Sequence, residues 1–166
     1  MYNRGRSRLS IFHRRADCLN VLRRMKESLA ALELTLIVYC LMPNHYHFLI
    51  RQDAEDPARK FPQRIFNGYS KHYNHKYDHS GTIFEGPYKI NLVDSDSYLR
   101  HLCRYIHANP VKDGMCPYVE EWEYSNYPEW VGIRAGTLVD HQFIADYFEN
   151  GRKYEAFVKE YLNEQE

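Results

Sequence analysis

Apolar residues recur at three- and four-residue steps from about Asp17 to Leu32 (Leu19, Leu22, Met25, Leu29, Leu32), with Arg23, Arg24 and Lys26 on other faces, which predicts an amphipathic helix. The pattern then changes period. Residues 34–41 are β-branched and apolar, and a second such run, His45 to Ile50, follows Pro43-Asn44, the signature of a β-hairpin. The polar, acidic stretch 52–60 reads as a loop, and residues 61–77 as a basic aromatic helix carrying Ile65, Tyr69, His72, Tyr73 and Lys76, closed by Ser80-Gly81. Residues 82–84 and 89–93, around Gly86-Pro87, are short strand candidates. The cluster Asp94-Ser95-Asp96 predicts an N-cap for a helix to Asn109, with Leu99, Leu102, Cys103 and Ile106 on one face and Pro110 stopping it. A turn-rich segment containing Trp122 and Trp130 leads to one or two terminal helices between about Asp140 and Leu162. Residues 1–15 are basic and irregular, with Gly5 as a turn signal and Ile11-Phe12 as their apolar pair. The whole predicts an α+β domain with a small antiparallel sheet.

Composition changes that picture in two places. At 166 residues, with 22 Lys+Arg against 22 Asp+Glu, the chain fits one neutral domain of ordinary size. Neutrality hides an asymmetry: residues 1–90 hold 15 Lys+Arg and 8 Asp+Glu, whereas 91–166 hold 7 and 14. A polyanion is therefore expected on the first half, with the acidic second half facing solvent. Tyrosine occurs 15 times, a surplus that suits stacking surfaces and, equally, amphipathic core filling. No window approaches the roughly 18 apolar residues of a membrane span, no secretory signal is visible, and the four cysteines form no C-x-x-C pair, so a cytoplasmic protein with reduced thiols is expected.

The sharpest local feature is His45-Tyr46-His47. Alternation along a strand points both imidazoles to one face, where they can converge on a divalent ion. Two ligands leave such a site open to further oxygen donors and to phosphate. On the helix 94–109, Tyr105 and Asn109 stand at i and i+4, with His101 one turn earlier. A phenol beside a metal-polarised phosphodiester can attack phosphorus, and Asn109 can supply a third ligand; a half-buried packing tyrosine and a cap asparagine fit the same spacing. His72, His75 and His79 superficially resemble a zinc triad, but Lys71 and Lys76 among them favour a solvated or phosphate-contacting face. Arg4, Arg6, Arg8, Arg14 and Arg15, with Lys71, Tyr73, Lys76 and Lys89, are the candidate nucleic-acid contacts, interleaving cations and aromatic faces.

Three segments taken together, Tyr39 to Ile50, Ser80 to Lys89 and Tyr98 to Lys112, resemble the single-tyrosine HUH transposases, and among them the branch associated with repetitive extragenic palindromes. The resemblance runs from about Tyr2 to Tyr127, with a fainter match at Tyr154 to Val158. It implies a ferredoxin-like antiparallel sheet with helices on one face, a catalytic region over 1–130, and a C-terminal helical extension over 131–166. It further implies His45, His47 and Asn109 as ligands of Mg²⁺ or Mn²⁺, and Tyr105 as the nucleophile that joins the 5′ phosphate and frees a 3′ hydroxyl. Single-stranded or hairpin DNA is the implied partner, with monomer and homodimer both open and no membrane association. Two departures stand out. Only Met1-Tyr2 precede Asn3-Arg4-Gly5, where the family has a strand, so the first strand is expected to be truncated. Glu85-Gly86-Pro87 replaces a Gln-Gly-Arg, removing a basic group. The alternative is a catalytically decayed or domesticated hairpin-DNA-binding protein; a phosphodiesterase using water is a third reading.

Overall fold

A carboxylate with four donors sets the orientation of the first helix. Asp17 has a fully buried side chain that accepts from the backbone N–H groups of His13 and Arg14 (both 3.0 Å), from Lys76 Nζ (2.6 Å) and from Tyr77 Oη (2.6 Å). These bonds tie the start of helix α1 (Arg15–Leu32) to the end of helix α2 (Lys60–Lys76). The buried stripe of α1 is consequently Cys18, Val21, Met25, Ser28 and Leu29: Met25 and Leu29 are buried as expected, whereas Cys18 and Val21 take the places of Leu19 and Leu22, and Leu19 is 47% exposed. Apolar residues at 18, 19, 21 and 22 allow either stripe, and the Asp17 anchor decides between them.

The computed structural model describes residues 1–52 and 58–164, so the centre of the expected 52–60 loop lies outside the described residues. Strands β1 (Tyr2–Arg4), β2 (Leu34–Met42) and β3 (His45–Gln52) form one sheet in the order β1-β3-β2, and β1 runs antiparallel to β3. The fold is thus α+β with a three-stranded antiparallel sheet. The chain divides into two compact units, Met1–Thr35 with Leu41–Asn91, and Leu36–Cys40 with Leu92–Glu166.

In the first unit the N-terminal segment corrects the expectation of irregular chain. Its Tyr2-Asn3-Arg4 segment is strand β1, followed by a 3-10 turn at Arg6–Arg8. Gly5 is required there, because a Cβ would collide with the Leu9 carbonyl. The strand candidates 82–84 and 89–93 are corrected as well: each makes a single bridge, Gly5 to Phe84 and Tyr2 to Lys89. Together they cover the outer edge of β1, with Tyr2 and Lys89 exchanging backbone bonds of 2.9 and 2.8 Å. Tyr46 and Phe48 pack inward on Phe66, the Tyr46 and Phe66 rings 4.2 Å apart at 18°.

The second unit contains α3 (Asp96–Lys112), α4 (Tyr127–Trp130), α5 (His141–Phe148) and α6 (Gly151–Asn163). Ser95 caps α3 by accepting from the Tyr98 N–H, as its sequence predicts. Pro110 does not stop it. The proline lies within the last turn, which closes through Asp113 N–H to the Asn109 carbonyl and Met115 N–H to the Pro110 carbonyl. Proline removes a donor but keeps its acceptor, so a final turn survives. The terminal segment is two helices, each N-capped, by Asp140 and Asn150 respectively. Asn126 is the polar hub of this unit: it accepts from Tyr39 N–H and His107 Nε2 and donates to the Ile37 and Leu138 carbonyls. Seven of the 15 tyrosines are buried, so much of the surplus is core rather than binding surface.

Burial alone would raise the Asp17 pKa, but the Lys76 and Tyr77 bonds and the two backbone donors outweigh it and hold the carboxyl below its usual range. We expect Asp17→Ala to destabilise the protein by about 2–4 kcal/mol at neutral pH. Because the folded pKa is depressed, the stabilisation exists above the ordinary Asp value of about 4 and is lost as pH falls through the lower folded value. Thermal melts should therefore show a wide gap between wild type and variant at pH 7 that narrows in acid. A gap unchanged down to pH 2 would contradict this account.

Candidate active site

Strand β3 presents its histidines as the alternation requires. His45 and His47 share one face, ring centroids 5.2 Å apart and edge to face, while Tyr46 is buried on the other, 1% exposed. The Nδ1 of His45 lies 2.7 Å from Asn44 Oδ1. An amide oxygen only accepts, so Nδ1 carries a proton, and in the neutral ring the Nε2 lone pair is then the one that can ligate, the outer-shell arrangement of a ligating imidazole. Burial, with the neighbouring His45, pushes the His47 pKa down to about 3, so this ring is neutral and ready to coordinate at physiological pH.

The register of β1 brings further groups to this face. Tyr2 pairs with His47 and Arg4 with His45. The Tyr2 ring stacks on His47 at 5.7 Å, and Lys89 Nζ lies 5.5 Å from the Tyr2 centroid. Arg4 holds Glu85 through both carboxylate oxygens, with Nη2 at 2.9 Å from Oε1 and 3.2 Å from Oε2. The glutamate that departs from the family pattern thus offsets a cation of the same segment. Tyr2 and Asn44 escaped the sequence reading; the only hint was Asn44 immediately before His45.

In the second unit, Tyr105 and Asn109 occupy one stripe of α3. His101 stacks on Tyr105 at 6.2 Å and 24°, and Lys112 Nζ lies 5.7 Å from the Tyr105 ring centroid. Burial, Arg104 and Lys112 lower the His101 pKa, which keeps that imidazole neutral. Asn109 is 6% exposed, and its Nδ2 is buried with no hydrogen-bond partner among the described residues. Buried amides are normally satisfied, and a half-turn of this one offers an oxygen in the same place. A pair of imidazoles on one strand face suits a divalent ion that keeps open positions. Among the described residues, no group of three or more His, Cys, Asp or Glu forms a metal cluster, so the two-histidine set has no rival of that kind. His79 is engaged with Asn74 Oδ1 at 2.9 Å.

The expected DNA contacts divide. Arg6, Arg8, Arg14, Arg15, Lys71 and Lys89 are exposed, and Arg4 is exposed but paired with Glu85. Tyr73 departs from the expectation: it is 2% exposed, with its hydroxyl donating to the Ser10 carbonyl. Lys76 is exposed and paired with the buried Asp17.

Residues 4–109 match the family described as Transposase IS200 like. The chain belongs to this family. The matched span holds His45, His47, Tyr105 and Asn109, and ends on the last of them. A Haemophilus influenzae protein named as a REP-associated tyrosine transposase is 28% identical over 106 residues, 55% of this chain and 57% of its own length. The chain therefore spans little more than half the length of the curated relative it matches. Its fold is similar to that of a REP-associated tyrosine transposase solved bound to a REP hairpin, with a TM-score of 0.62, 18% identity and 84% of each chain covered. No helix among the described residues is long and apolar enough to cross a membrane.

Proposed function

We propose that this protein nicks and rejoins single-stranded DNA beside hairpins through a 5′-phosphotyrosine intermediate. The observation that carries the reading is the His45–His47 pair, its tautomer set by Asn44, within a family match that also spans Tyr105 and Asn109. The Tyr105 phenol attacks phosphorus in line with the departing 3′ oxygen, which leaves as a hydroxyl carrying the proton. The ester formed on Tyr105 keeps the energy of the broken phosphodiester, so a second 3′ hydroxyl can reverse the step and reseal the strand. His45, His47 and the Asn109 amide would hold Mg²⁺ or Mn²⁺, whose chemistry is to polarise the phosphate and offset its charge.

Arg4 and Lys89, on the histidine face, are the phosphate contacts nearest the chemistry; Arg6, Arg8, Arg14, Arg15 and Lys71 track the backbone beyond it. The catalytic region is taken to run over 1–130, with 131–166 as its helical extension. A hairpin oligonucleotide with a labelled single-stranded flank tests the reading. With Mn²⁺ a denaturation-resistant protein–DNA adduct is expected, and EDTA should abolish it. Nicking without an adduct would assign the attack to water, and hairpin binding without nicking would assign a binding protein.

A further inference from the structure

Two of the groups around Tyr105 lie outside its family match. His101, Tyr105, Asn109 and Lys112 follow one another along a single stripe of α3, and α6 lays Tyr161 against it. Lys112 Nζ donates to Tyr161 Oη at 3.0 Å and stands 4.9 Å from the Tyr161 centroid and 5.7 Å from that of Tyr105. His101 stacks on Tyr105 and meets Tyr161 edge-on at 5.7 Å. Two arginines secure α6 in this position: Arg104 lies over Phe157 (4.4 Å) and Tyr161 (4.8 Å), and Arg100 over Phe157 (5.5 Å). Lys112 and Tyr161 both fall beyond residue 109, where the family match ends.

We propose that Lys112 is the cation that receives the phosphate at Tyr105, aimed there by the Tyr161 hydroxyl. The inference rests on Tyr105 being the nucleophile. An ammonium carries three N–H donors, so one group can hold Tyr161 and a non-bridging phosphate oxygen together. As the Tyr105 oxygen bonds to phosphorus and the bond to the 3′ oxygen breaks, negative charge accumulates on the equatorial oxygens. A fixed cation there stabilises the transition state more than the diester on either side of it. Lys112 stays protonated throughout, and the phenolic proton ends on the 3′ hydroxyl. Lys112 binds substrate in this scheme; Tyr161 is a positioning residue, which makes α6 part of the nucleophile's setting.

A last-turn lysine also complements the helix dipole, and two readouts separate that role from substrate contact. The first needs no chemistry. In the Tyr105→Phe background, Lys112→Met should make the salt dependence of binding to a hairpin with a single-stranded flank shallower by about 0.7 in log K against log salt, the loss of one phosphate contact. An unchanged slope would overturn the proposal. The second is the rate of adduct formation with Tyr105 present: Lys112→Met should slow it about 100-fold and Lys112→Arg should restore part of the loss. Tyr161→Phe should slow it about tenfold with salt slope and thermal midpoint kept. A Lys112→Met rate within threefold of wild type would also overturn it. If the slope shifts while even wild type forms no adduct, the nucleophile reading fails and Lys112 remains a phosphate ligand.

Discussion

Replacing Tyr105 with Phe is expected to leave no covalent protein–DNA adduct above background, while hairpin binding persists within about threefold. The substitution removes one oxygen and keeps the ring, so the stack on His101 and the approach of Lys112 to the ring face are preserved. Binding rests on cations elsewhere, because phosphate neutralisation supplies most of nucleic-acid affinity. Without the phenolic oxygen there is no group to form the phosphoester, and the expected loss is complete rather than graded. The measurement is a denaturing gel of labelled oligonucleotide after incubation with Mn²⁺, alongside a binding titration. An adduct retained by the variant would place the nucleophile on another of the 15 tyrosines.

His45→Ala is expected to lower Mn²⁺ affinity and nicking together, each by more than about 100-fold. The imidazole is half-buried, and its Nδ1 bond to Asn44 orients it, so its removal subtracts a ligand while disturbing little of the core. Asn44→Ala, which keeps the ligand and loses only the orienting acceptor, should cost about 10–100-fold, the usual range for an outer-shell partner. Calorimetric titration with Mn²⁺ and the nicking assay provide the two numbers. Normal metal-dependent nicking by His45→Ala would remove this residue from the ligand set.

Where periodicity carried the reading, it carried it well: the hairpin at 34–52, the helix capped by Ser95 and the terminal helices all stand where apolar spacing and capping residues place them. It failed where two local solutions were close in energy. Leu19 and Cys18 are both apolar, and the choice of buried stripe on α1 fell to the bonds of Asp17 with Lys76 and Tyr77. It failed again at 82–93, where isolated bridges to Tyr2 and Gly5 replace strands, and at Tyr73, whose ring is buried and whose hydroxyl donates to the Ser10 carbonyl.

The candidate site divides in the same way. That His45 and His47 face one side of a strand, and that Tyr105 and Asn109 stand a turn apart on a helix, follows from the repeat of each element and needs nothing beyond the sequence. The company these residues keep was decided by the tertiary structure alone: Tyr2 stacked on His47, Glu85 holding Arg4 from 81 residues away, and Tyr161 holding Lys112 from 49 away. Local repeats determine which way a side chain points, because they depend on backbone geometry within a few residues. Partners so far apart in the chain leave no such trace, and only packing brings them together.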